Sequence, residues 1–104
     1  MCKYCIITTT CDSLENAEQI TKALFDEKLV SCVQMQNINS TYIWKNKLEN
    51  ADEIMLIIKT KFELYSEVEK CILDNHSYET PEIVQLPIIN GYSGYLEWID
   101  DTVK

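Results

Sequence analysis

From Tyr4 to Thr10 the chain is rich in β-branched and apolar residues, and the run stops at Cys11-Asp12-Ser13. That composition predicts a strand, and Asp12 followed three residues later by Glu15 predicts a capping box that opens a helix. Leu14, Ala17, Ile20, Ala23 and Leu24 then recur at helical spacing, with most charges elsewhere on the circumference, and the helix is expected to end near Lys28. A second strand follows in "LVSCVQMQ". "STYIW-KN-KLENADEIMLIIKTK" predicts a hairpin that runs into a long strand, with Lys45-Asn46 at its tip, since Asn tolerates a left-handed turn conformation. Leu64, Val68, Cys71 and Ile72 space a second helix from about Glu63 to about Asn75. "PEIVQLPII" then predicts the last strand, and the aromatic tail "GYSGYLEWIDD" one or two turns of helix.

The order β-α-β-β-α-β is the split βαβ, or ferredoxin-like, plan: an α+β fold in which both helices lie on one face of an antiparallel sheet. "EIMLIIKT" and "IVQLPII" are apolar at successive positions, which calls for burial on both faces, whereas two helices cover only one. Another copy of the chain is the expected cover, since a large exposed apolar sheet face is a liability in a monomer. No repeat or linker divides the sequence, so residues 1–104 are expected to form a single domain.

Composition narrows the function. With 46% hydrophobic and 25% charged residues and only two Gly and two Pro, the chain has the make-up of a globular domain, large enough to bury a core without metal or disulfides. A formal charge of −8 repels phosphate backbones and anionic leaflets, so nucleic acid and membrane are not expected partners, while cations are weakly attracted. The start "MCKYCIITTTCDS" lacks the cationic and long apolar regions of a leader, which predicts a cytoplasmic protein. Five scattered cysteines are expected to be reduced thiols. Cys2 and Cys5, three apart on a strand, would point to opposite faces and form no zinc half-site.

Two constellations are candidates for chemistry. The first is "NHSYETPEI", residues 75–83, which holds the only histidine. As a metal site it offers the imidazole of His76 with a carboxylate from Glu79 or Glu82. As a structural turn, Asn75 and His76 close the second helix, His76 facing its terminal carbonyls, and Pro81 aims the last strand. The second is a set of polar or amphipathic side chains, Tyr42, Trp44, Lys59, Tyr78 and Glu82, singled out because they stand in sequence blocks that resemble a known family; in a trimer they would line a cleft between subunits suited to a small anionic or zwitterionic ligand, or else serve as plain interface anchors. One histidine and two glycines leave no triad and no phosphate loop, so no enzyme is predicted.

"SCVQM", "STYIWKNKLE", "IMLIIKT", "HSYETPEI" and "PIINGYSGYLEWI" together resemble, in order and over nearly the whole length, the CutA family of divalent-cation tolerance proteins. The resemblance implies a ferredoxin-like homotrimer, without settled enzymatic activity or a required cofactor, involved in tolerance to copper and other divalent cations. It also implies copper ligands from a first-strand cysteine and two adjacent histidines. The matching positions here are Thr8, Asn75 and His76, of which only His76 keeps a ligand of the expected type. The leading expectation is a trimer that binds Cu(II) or similar ions weakly. The alternative is a ligand-binding or signalling trimer built like the PII proteins, and a third is a scaffold for a protein partner.

Overall fold

A computed structural model describes residues 2–104. Its elements run β1 (Tyr4–Cys11), α1 (Leu14–Asp26), β2 (Cys32–Trp44), β3 (Lys47–Lys61), a 3-10 turn over Phe62–Leu64, α2 (Tyr65–Asn75), β4 (Ile83–Pro87) and α3 (Ser93–Thr102). The sheet order is β2-β3-β1-β4 with every neighbouring pair antiparallel, which is the ferredoxin-like plan expected from the sequence. Each β-α-β crossover steps over one strand, and α1 and α2 pack together on the same face.

The register explains why that face is closed. Ile7 pairs with Ile58, Thr9 with Leu56 and Cys5 with Thr60, and all six are buried beneath Ala17, Ile20 and Leu24 of α1 and Val68 and Ile72 of α2. The period of two puts Ile6, Ile57, Val84 and Leu86 on the opposite face, where no helix of the two covers them and Val84 and Leu86 stay exposed. Within a single protomer α1 and α2 therefore close one face, while on the other α3 packs beside β3 and Val84 and Leu86 stay exposed.

Several local expectations are corrected. The N-cap of α1 is Ser13, whose Oγ accepts from the Asn16 amide at 3.1 Å; Asp12 instead accepts from Ser77 Oγ at 3.2 Å. The helix stops at Asp26, and Lys28 adopts the left-handed conformation with φ 56°. The second strand and the first arm of the hairpin are one continuous strand, β2, which begins only at Cys32. The stretch between them, residues 37–39, pairs through its whole length, with Asn39 and Asn50 bonding each other across the strands and Asn39 also donating to Asp52 at 2.9 Å. The second helix opens with the 3-10 turn before Tyr65, the last strand ends at Pro87, and the tail forms a ten-residue helix, α3, anchored by the buried Ile99.

Beyond Glu53 and Ile38, β2 and β3 pair only with each other, and Lys45 and Asn46 turn the tip at φ 50° and 66°. Both central residues at positive φ match the right-handed twist of the flanking strands. A strand of 13 residues spans roughly 43 Å at about 3.3 Å per residue, which accounts for the 44 Å long axis of the molecule. The ribbon also lifts the radius of gyration to 14.2 Å, above the roughly 13 Å of a compact domain this size. Near its tip Ile43 and Leu48, a cross-strand pair, are 66% and 74% exposed, and Tyr42 and Trp44 are about two-fifths exposed.

Candidate functional site

His76 is the C-cap of α2, and its extended backbone turns the ring away from the helix axis toward β1. Nε2 lies 2.9 Å from the Thr10 carbonyl, and Nδ1 accepts from the Tyr78 backbone N–H at 3.1 Å. A carbonyl can only accept, so Nε2 carries the proton and the ring is the neutral tautomer. Both nitrogens are engaged, and metal ligation by His76 requires one of these bonds to break. The expected contact with the terminal carbonyls of its own helix is replaced by one across 66 positions of sequence. The α2 terminus is satisfied instead by Asn16, whose Nδ2 donates to the Asn75 carbonyl at 2.9 Å and whose Oδ1 accepts from the Ser77 N–H at 3.3 Å. Asn75 turns its own side chain back to the Cys71 carbonyl at 2.8 Å.

Burial lowers the His76 pKa below its ordinary 6.5, against the opposing pull of the Thr10 carbonyl and the carboxylates of Asp12 and Glu53. Between the folded and unfolded values the unfolded chain binds the extra proton, so stability rises with pH there. This contribution is complete above the unfolded value and is lost as pH falls through the folded one. Melting temperature from about pH 7.5 down to about pH 5 should therefore fall more steeply for the wild type than for His76→Gln. Equal slopes would mean that His76 carries no such linkage.

From His76 the chain crosses the end of the sheet face opposite α1 and α2. Tyr78 donates its hydroxyl to Glu53 Oε2 at 2.6 Å, and Thr8 Oγ1 donates to Glu82 Oε2 at 3.1 Å. Burial first, and the adjacent Glu53 second, push the Tyr78 phenol well above its ordinary value and keep it a donor. Between this segment and the ribbon opens a cleft of about 840 Å³, lined by Thr10, residues 40–44, Glu53 and residues 77–82. Four of the five residues expected at a ligand site, Tyr42, Trp44, Tyr78 and Glu82, line it. Lys59 does not: its register places it opposite Ile6 and Cys32, and its ammonium bonds Gln34 Oε1. Without Lys59 the titratable groups of known sign on the lining are Glu53, Glu79 and Glu82, so the cleft is acidic.

Soft ligands are equally scarce. Thr8, at the position matched to a cysteine, is engaged with Glu82, and the cysteines are free. Burial pushes the Cys11 thiol up to about 11 and Cys71 to about 12, so neither is a ready thiolate. Among the described residues no three His, Cys, Asp or Glu side chains are grouped to hold a metal ion. The residues of one protomer therefore do not fit a copper centre built on His76.

Thr10, Asn16 and Glu53 were not among the candidates. Asn16 had a signal, because residues 16, 20 and 24 share a helix stripe and an amide there interrupts an apolar face. Glu53 had one too, as the acidic residue that leads the alternate positions Met55 and Ile57.

The chain matches the family described as CutA1 divalent ion tolerance protein over residues 5–102. It is 43% identical over 98 residues to the divalent-cation tolerance protein CutA of Archaeoglobus fulgidus, covering 94% of this chain and 96% of that one. The CutA of Pyrococcus horikoshii is 30% identical, with 95% and 97% covered. The solved structure of the periplasmic divalent cation tolerance protein CutA from Archaeoglobus fulgidus superposes with a TM-score of 0.94 at 42% identity, over 97% of this chain and 99% of that one. The resemblance in the five sequence blocks and the ferredoxin-like fold thus meet in one assignment: this chain belongs to the CutA1 divalent-cation tolerance family.

Proposed function

We propose that this protein acts in divalent-cation tolerance as a non-enzymatic homotrimer that binds Cu(II) or similar ions weakly. The observation that carries the assembly is the ribbon: Tyr42, Ile43, Trp44 and Leu48 stand exposed on a two-stranded extension that has no third strand and no helix to bury them. Two strands alone are marginal in water, so a neighbouring protomer is the physical reason for such an extension to persist. Val84 and Leu86 on the uncovered sheet face favour the same cover. Five free cysteines fit a reducing compartment, for which we propose the cytoplasm.

Weak ion binding in this proposal falls to carboxylates, chiefly Glu82, with His76 as a structural residue. Carboxylates suit hard and borderline ions and bind Cu(II) less tightly than paired imidazole and thiolate. Calorimetric titration of Cu(II) into the wild type, His76→Gln and Glu82→Gln checks this. The expected result is unchanged affinity for His76→Gln and weaker binding for Glu82→Gln. Loss of binding in His76→Gln alone would return His76 to the ligand set.

A second reading, a small-ligand-binding or signalling trimer of PII-like build, is favoured by the cleft itself. Its volume falls within the roughly 300–1,000 Å³ of small-molecule pockets, and aromatic rings with a few polar groups line it. If the ribbon anchors a neighbour, the cleft along it lies at a subunit boundary.

A further inference from the structure

Glu53 is only 8% exposed, yet among the described residues no lysine or histidine pairs with it, and the sequence has no arginine. Its Oε2 takes the Tyr78 hydroxyl, while its Oε1 accepts no hydrogen bond among those residues. A buried carboxylate is normally matched by a cation, because the desolvation of its charge is otherwise uncompensated. The converse holds for one lysine. Lys3, Lys22, Lys61, Lys70 and Lys104 each meet a carboxylate, and Lys28, Lys45 and Lys47 stand exposed. Lys59 is partly buried and meets no carboxylate among the described residues; its ammonium bonds the neutral side chain of Gln34.

Strand alternation puts Glu53 and Lys59 on the same face of β3 as Ile57, the face opposite α1 and α2. Their positions along the extended strand set their Cα atoms roughly 20 Å apart at about 3.3 Å per residue, beyond the joint reach of the two side chains. They cannot neutralise each other within one protomer. Resting on the homotrimer reading, we propose that they do so between protomers, the ammonium of Lys59 in one copy pairing with the carboxylate of Glu53 in the next. A second copy of the chain is the occupant, and not a foreign protein, because one face of one strand supplies both the acid that lacks a base and the base that lacks an acid. In a closed ring each protomer gives its Lys59 to one neighbour and receives the Lys59 of the other at Glu53, so the two patches need not coincide. Val84 and Leu86, exposed on the same face, add the apolar surface that keeps water from such a pair. Glu82 has less need of the lysine, since it is exposed and already accepts from Thr8.

A double-mutant cycle on the full chain tests the pair, read as the melting temperature at equal protein concentration with sedimentation of every variant beside it. Lys59→Met keeps the apolar stem without the charge, and Glu53→Gln keeps an acceptor for the Tyr78 hydroxyl. Each alone should lower the melting temperature, Lys59→Met by roughly 8 °C or more because it leaves Glu53 buried without its cation. The double variant should melt no lower than the worse of the two. The charge swap that combines Glu53→Lys with Lys59→Glu should melt above either of its single changes, and it decides the matter if one of the neutral variants does not fold. Losses that simply add in the first cycle, or a swap that melts no higher than its single changes, overturn the pair while leaving a wild type that sediments as three chains. Coupling of Lys59→Met to Glu82→Gln in place of Glu53→Gln moves the contact to Glu82 and overturns the assignment to Glu53. A wild type that sediments as a folded monomer removes the trimer reading itself, and the pair with it.

Discussion

Trp44→Ala should break the assembly into smaller species while the α/β body of each protomer stays folded. Trp44 pairs with Lys47 at the last rung before the tip, and about two-fifths of its surface is open in a single protomer. Its neighbours on the ribbon, Tyr42 and Ile43, are also exposed, so the indole finds little local cover. A neighbouring subunit that covers it would lose on the order of 3–5 kcal/mol when the ring is removed, as for other buried aromatic deletions. In a closed ring of three copies the same loss recurs at every contact, which makes this the largest effect expected of any single substitution here. Sedimentation velocity at nanomolar protein should give one trimeric species for the wild type and a species near 12.1 kDa for the variant. A wild type that already sediments as a folded monomer at that concentration would contradict the trimer outright. A variant indistinguishable from the wild type would put Trp44 in solvent and leave the ribbon without its proposed purpose.

The parts of the fold legible in the sequence are those set by short-range periodicity. The β-branched and apolar run "YCIITTT" and the three-four spacing of Ala17, Ile20 and Leu24 need no partner to be read, and with the other periodic segments they set the order of the elements and point to the sheet topology. The continuity of β2 was hidden because "QNINST" has the composition of a connection; only the side-chain ladder between Asn39, Asn50 and Asp52 makes those residues good strand positions. The same limit governs the site. Tyr42, Trp44, Tyr78 and Glu82 could be named as candidates because they stand in the blocks that resemble the family, but Lys59 was grouped with them although the register carries it to another part of the face. Glu53 was missed because its partner, the Tyr78 hydroxyl, lies 25 positions away, and no local pattern encodes that pairing.

His76→Ala is expected to destabilise the protomer by about 2–4 kcal/mol, because it removes one side chain that serves two otherwise separate strands of backbone. The Thr10 carbonyl loses its donor and the Tyr78 N–H its acceptor, each at a partly buried site. The ring contact between His76 and Tyr78, with centroids 4.9 Å apart, is lost as well. Tyr78 is then free to leave Glu53, and the wall of the cleft loosens with it. At about 4–8 °C per kcal/mol for a domain of this size, the melting temperature should fall by roughly 8–30 °C when compared at equal protein concentration. His76→Gln, which keeps a donor and an acceptor but loses the ring, should lose less than His76→Ala. Chelation separates this structural account from a metal-based one: treatment of the wild type with EDTA should leave its melting temperature unchanged. If chelation lowers it as far as His76→Ala does, the imidazole stabilises the protein through a bound ion, and the hydrogen bonds to Thr10 and Tyr78 are not the source of its contribution.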